Sequence, residues 1–147
     1  MLIHLDTSVL VDAFTGPKRS LARLRVATAK GDVVNISSIV LYEWLRGPRT
    51  EDERQAVDAF FELDQIAVFG RREAERAAGL YGRVTGARQR QADLAIAACA
   101  IEGGASLWTL NRSDFDDVPE LTVTERSNAA TEERLKTGHA VGGQSIV

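Results

Sequence analysis

The sequence predicts an α/β fold: one domain built on a central parallel sheet of four to five strands, flanked by helices. Three observations carry this. Short apolar runs at residues 2–5, 33–36, 66–69, 106–110 and 121–124 alternate with segments of helical periodicity, as strand–helix–strand crossovers require. The segment from Gln91 to Glu102 is apolar all round between Leu94 and Ile101, the mark of a helix covered on nearly every side. A carboxylate, Asp6, follows the first apolar run directly, where open α/β sheets place their ligands.

Taken in order, Leu2, Ile3 and Leu5 form the first strand, and Thr7 and Ser8 are suited to cap a helix carrying Val9, Leu10, Ala13 and Phe14. Gly16-Pro17 breaks that helix. Residues 19–30 form the next, with Leu21, Leu24, Arg25 and Thr28 at helical spacing, and Gly31-Asp32 stops it. Val33, Val34 and Ile36 make a second strand. Ser37 and Ser38 cap a helix over 39–46 that ends at Gly47-Pro48. Thr50 with Glu53 is a capping-box pattern for a helix over 51–63, whose Ala56, Ala59, Phe60 and Leu63 share one face. Residues 66–69 are the third strand. A long amphipathic helix follows from Arg71, with Ala74, Ala77, Ala78, Tyr81 and Val84 on one face and a break near Gly86. The helix over 91–102 closes at Gly103-Gly104, and residues 106–110 and 121–124 supply the last two strands. Residues 1–125 therefore make the domain. Residues 126–147 hold scattered apolar side chains among Gly, Ser, Thr and charges, and read as a flexible tail with one helical turn over 132–136.

A chain of 147 residues is long enough to bury a continuous core. No run is long enough to span a membrane, and no charged leader precedes an apolar segment, so a cytoplasmic protein is expected. One cysteine, Cys99, excludes an internal disulfide and a multi-Cys zinc site; His4 and His139 are too few for a His-rich cage. A bound metal would have to be held by carboxylates. The net charge of −3 conceals an uneven spread. Residues 51–64 carry six acids and one base, whereas residues 71–90 carry six Arg and two Glu. The Arg-rich stretch, Arg88 and Arg90 included, is a candidate phosphate-backbone contact, because the guanidinium fork matches paired phosphate oxygens. Its alternative is a solvated helix face with internal salt bridges. A pI near 5.4 gives non-specific nucleic-acid binding no support.

Four acids lack a structural reason. Asp6 could serve as a turn or cap residue. Asp93, in the first turn of an apolar helix, could complement the helix dipole. Glu43 lies inside Ile39-Val40-Leu41-Tyr42-Glu43-Trp44-Leu45, where a lone buried charge costs several kcal/mol unless it is paired, with Arg46 or Arg90 for example, or binds a metal. The loop Thr109-Leu110-Asn111-Arg112-Ser113-Asp114-Phe115-Asp116-Asp117 leaves a strand at the same sheet edge as Asp6. Four carboxylates at one crevice repel unless divalent cations sit among them. Oxygen ligands without His or Cys suit Mg²⁺ or Mn²⁺, and such a cluster suits phosphoryl chemistry.

These motifs resemble the PIN-domain ribonucleases: Asp6-Thr7-Ser8 after an apolar strand, Glu43 in an apolar helix, Asp93 opening an Ala/Ile-rich helix, and Thr109-x-Asn111-x-x-Asp114-Phe115. The compact size and Asp-Thr-Ser start look most like the VapC toxins of bacterial toxin–antitoxin pairs. The resemblance implies a Rossmann-like sheet and hydrolysis of RNA phosphodiester bonds, commonly in tRNA or rRNA, with Mg²⁺ or Mn²⁺. It implies Asp6, Glu43, Asp93 and Asp114 as catalytic metal ligands, with Asp116 an alternative fourth acid. It implies Ser8 and Asn111 as supporting positions, to which Thr7 is added here, and Arg112 joins Arg88 and Arg90 as a candidate RNA contact. The implied partners are RNA, a small cognate antitoxin and a second copy of the chain. Two rival readings share the fold: a housekeeping PIN nuclease in RNA maturation, and a non-catalytic binding module. A receiver or dehalogenase-like phosphotransfer domain is disfavoured, because position 8 is Ser and no Lys lies between Lys30 and Lys136.

Overall fold

The computed structural model describes residues 1–124; the expected tail, with its helical turn, lies outside the described residues. Four parallel strands form one sheet in the order β2-β1-β3-β4. They are β1 (Leu2–Leu5), β2 (Val33–Asn35), β3 (Ser106–Trp108) and β4 (Val123–Thr124). Among the described residues six α-helices accompany them: α1 (Thr7–Phe14), α2 (Leu21–Ala29), α3 (Ser38–Arg46), α4 (Glu51–Phe60), α5 (Arg71–Tyr81) and α6 (Gln91–Glu102). β1 lies between β2 and β3, in the registers Ile3↔Val34 and Ile3↔Ser106, and is buried on both faces through Ile3, His4 and Leu5. The chain runs from β1 to one neighbour and returns to the other, so the order of connection reverses between β1 and β3. In open α/β sheets the crevice at such a reversal, beyond the strands' carboxyl ends, is the ligand site. Asp6 and the loop after β3 both sit there, joined by the Asp6 amide, which donates to the Trp108 carbonyl at 2.9 Å.

Local signals set most helix boundaries. The capping box of α4 forms, with the Glu53 amide 3.2 Å from Thr50 Oγ1 and the Thr50 amide 2.8 Å from Glu53 Oε1. Ser37 caps α3 by accepting from the Val40 amide at 3.3 Å. α6 is buried at seven consecutive residues, Leu94 to Ala100, and ends where Gly104 takes φ +66°, a left-handed geometry that glycine adopts without strain. An aromatic cluster ties α1 to α3 and α4. The Phe14 ring packs edge-on against Trp44 at 6.5 Å and Phe60 at 5.5 Å. None of the described helices is long and apolar enough to cross a membrane.

The structure corrects the expected elements in four places. Residues 66–69 are not a strand; a single parallel bridge joins Ala67 to Ser37. Their backbone is spent on the turn between β2 and α3: Ala67 bonds the Ile36 carbonyl and the Ser38 amide, and the Phe69 amide donates to Ser38 Oγ. β2 ends at Asn35, so residues 66–69 meet the chain beyond the strand rather than the strand itself. α4 stops at Phe60, with a single 3-10 turn at Leu63–Gln65. α5 stops at Tyr81, before Gly82, and its inward residue is Leu80, while Ala74, Ala78 and Tyr81 face water. In α2 the inward stripe runs through Leu24 and Ala27, leaving Arg25 and Thr28 exposed.

Candidate active site

Asp6 is 5% exposed and occupies the N-cap position of α1 in extended geometry, yet its side chain makes no capping hydrogen bond. Its Oδ2 instead accepts from two hydroxyls, Ser8 Oγ at 2.8 Å and Thr109 Oγ1 at 2.7 Å. Each hydroxyl is itself oriented by a backbone amide of the loop after β3. Leu110 N donates to Ser8 Oγ at 3.1 Å, and Asn111 N donates to Thr109 Oγ1 at 2.9 Å. Hydrogen bonds to a charged group are typically worth about 1.5–3 kcal/mol each, so the carboxylate is fixed and β1 is locked to β3 at the crevice. Thr7 and Ser8, expected as caps, serve the acids instead. Thr109 was legible only as a letter of the motif; its hydroxyl at the end of β3 is the signal of its role.

Glu43 projects from α3 toward α1. Its Oε1 accepts from Thr7 Oγ1 at 2.7 Å, and its Oε2 lies 3.4 Å from Arg46 Nη2. The expected ion pair with Arg46 therefore forms, though its partner is solvent-exposed. The aromatic contact of Phe14 with Trp44 fixes α1 against α3 and so holds Thr7 within reach of Glu43.

Asp93 feels the charges of the other three acids. Its carboxyl is raised from the ordinary 3.8 to about 6, first by burial and then by the charges of Asp6, Asp114 and Glu43, with Arg90 opposing. Sequence positions 6, 43, 93 and 114 are thus brought into one field. Asp116 is turned aside, its Oδ1 accepting from Arg112 Nε at 3.2 Å. Asn111 contributes through its backbone, opening the 3-10 turn Arg112–Asp114. Among the described residues no three His, Cys, Asp or Glu side chains stand close enough to enclose a metal ion. The four candidate side chains offer only hard carboxylate oxygens, the donor type that suits a divalent cation such as Mg²⁺.

The arginines divide by role. Arg90 is expected to contact RNA, but its guanidinium is committed to the protein. It grips Asp117 Oδ1 at 2.6 Å and Oδ2 at 2.8 Å, and donates to the carbonyls of Asp114 at 2.8 Å and Thr85 at 3.1 Å. That pairing holds its proton more tightly than usual and depresses the Asp117 carboxyl. Arg90 is therefore a brace for the loop that carries Asp114. Earlier in the Arg-rich stretch, Arg72 and Arg76 pair with Glu102 at 3.0 and 2.8 Å, and Arg76 with Glu120 at 2.6 Å. The salt-bridged reading holds for these. Arg88 is exposed.

Residues 3–121 match the PIN-domain family. The chain belongs to that family. A relative, Ribonuclease VapC1 of Methanocaldococcus jannaschii, is 32% identical over 121 residues, which are 81% of this chain and 82% of the relative. Among solved structures, VapBC2 from Rickettsia felis, bound to a DNA fragment from its promoter, matches with a TM-score of 0.65 and 27% identity. That match covers 84% of this chain and 98% of the other. DNA-bound VapBC from Salmonella typhimurium, at 22% identity and TM-score 0.65 over the same shares, supports the PIN fold alone.

Proposed function

We propose that this PIN domain is a ribonuclease of the VapC type, the toxin of a toxin–antitoxin pair, and that it hydrolyses RNA phosphodiester bonds with Mg²⁺ or Mn²⁺. The observation that carries the reading is Asp6, held by Ser8 and Thr109 at the β1/β3 crevice, with its charge and those of Asp114 and Glu43 reaching Asp93. Asp6, Glu43, Asp93 and Asp114 would hold the cation. When bound, it would polarise the phosphodiester and lower the pKa of an attacking water. The chain's own contribution is placement. Ser8 and Thr109 fix Asp6 by one oxygen, and no described residue donates to the other, Oδ1. Thr7 orients Glu43, and Arg90 braces the backbone at Asp114. Asp93, protonated below about pH 6 in the metal-free protein, must give up that proton before it can ligate.

The likeness to Ribonuclease VapC1 supports RNA as substrate, and the likeness to a VapBC2 complex supports a small antitoxin as partner. A homodimer that joins its antitoxin in a hetero-oligomer, working in the cytoplasm on tRNA or rRNA, completes the proposal. The test is brief expression of the chain followed by mapping of new 5′ and 3′ ends on total cellular RNA. Discrete ends that vanish on co-expression of a small protein encoded directly upstream support a toxin, and the absence of such a reading frame would favour RNA maturation. Ends confined to normal processing sites would support RNA maturation instead.

A further inference from the structure

Helix α3 carries Glu43 into the crevice, and its outer surface presents Tyr42 and Arg46 beside it. Tyr42 is 62% exposed. Arg46 lies over its ring, 5.4 Å from the centroid, and reaches Glu43 Oε2 at 3.4 Å. A lone exposed aromatic on a helix needs no explanation. This one is linked to the acids by an unbroken series of contacts: Tyr42 to Arg46, Arg46 to Glu43, Glu43 to Thr7. A crevice of four carboxylates repels a polyanion, so RNA must be held by groups on its rim. Arg90 is committed to Asp117 through both carboxylate oxygens, and Arg112 is shared with Asp116 in an exposed pair. Arg46 pairs with Glu43 only at long range and with more than half its side chain in water, so a phosphate can claim it readily.

We propose that Tyr42 and Arg46 form a nucleotide subsite on the α3 rim, which takes one unstacked base of a single-stranded RNA beside the scissile bond. The base stacks on the Tyr42 ring, and the Arg46 fork pairs with an adjoining phosphate. Unpaired bases are recognised by stacking on aromatic and guanidinium planes, and such stacking tolerates any base. The subsite therefore selects for an unpaired nucleotide rather than for a sequence. It rests on the nuclease reading and names the substrate form.

The test uses the full chain carrying Asp93→Asn, to prevent cutting, with Mg²⁺. The probes are single-stranded oligoribonucleotides with 2-aminopurine at successive positions. Binding should quench the fluorophore at one position. Tyr42→Ala should remove that quench and weaken binding about tenfold, whereas Tyr42→Phe keeps both. An abasic residue at that position should make the parent and Tyr42→Ala bind alike. Arg46→Ala should flatten the salt dependence by about one phosphate contact. Unchanged binding and quench in Tyr42→Ala would overturn the subsite. So would a loss of binding accompanied by a change in oligomeric state on gel filtration, since Tyr42 would then join two copies. A chain with native Asp93 that binds the probes with the Tyr42-dependent quench but cuts no RNA with Mg²⁺ or Mn²⁺ would refute the nuclease reading and leave the subsite standing.

Discussion

Replacing Asp93 with Asn should stabilise the metal-free protein while destroying the activity proposed for it. The Asp93 carboxyl, ordinarily at 3.8, stands at about 6 in the folded chain because burial and the charges of Asp6, Asp114 and Glu43 disfavour its ionised form. The folded state thus binds this proton more tightly than the unfolded state. Its stability is undiminished below about pH 4, falls as pH rises toward 6, and carries the full penalty above that. At about 1.4 kcal/mol per pH unit the displacement amounts to about 3 kcal/mol. The side chain is only half-buried, and solvent screening reduces the recoverable part to about 1–2 kcal/mol. For a domain of this size that is a rise of about 3–6 °C in Tm. The assay is thermal unfolding followed by circular dichroism in EDTA, at pH 7.5 and pH 4. Asp93→Asn should melt higher than the parent at pH 7.5 and equal to it at pH 4. With Mg²⁺ the difference at pH 7.5 should shrink, because the cation relieves the same repulsion in the parent. A variant that melts lower at pH 7.5, or a gain independent of pH, would refute the idea that the acids strain one another.

Three further outcomes follow from the geometry. Thr109→Val removes one of the two hydroxyl donors that fix Asp6 Oδ2, and should weaken Mg²⁺ affinity by about 10- to 100-fold as measured by calorimetry, with Thr109→Ser largely restoring it; equal affinity in the Val variant would show that Asp6 needs no such clamp. Arg90→Ala releases the Asp114–Asp117 loop and should speed amide hydrogen exchange there while lowering cleavage, whereas Arg88→Ala should alter neither; protection unchanged in Arg90→Ala would deny it the bracing role. Phe14→Ala leaves a cavity between α1, α3 and α4 and should cost about 3–5 kcal/mol in urea denaturation; a cost under about 1 kcal/mol would mean that the ring cluster does not hold α1 to α3.

What the sequence disclosed depended on how far away each partner lies. The α4 capping box spans four residues and formed as written, and the buried run of α6 declared itself by composition alone. The acid after β1 and the Asx-rich loop after β3 could be joined, because parallel strands send their carboxyl ends to one edge. Residues 66–69 misled because their apolar character is real but their hydrogen-bonding partner is a turn, fixed only once β2 ends at Asn35. Arg90 misled for a similar reason: Asp117 lies 27 residues further on, and nothing local marks the pair. Thr7 and Ser8 have the composition of caps, and only the packing of α1 against α3 and β3 turns their hydroxyls to Glu43 and Asp6.

The most direct test of the acidic nuclease site is cleavage of RNA by the purified chain, compared in Mg²⁺, in EDTA, in EDTA followed by excess Mn²⁺, and as Glu43→Gln in Mg²⁺. The account predicts discrete products in Mg²⁺, none in EDTA, recovery with Mn²⁺, and none from Glu43→Gln even though its far-ultraviolet circular dichroism and melting curve match a folded protein. Cleavage that persists in EDTA, or a Glu43→Gln variant that cuts at the parental rate in Mg²⁺, would contradict it.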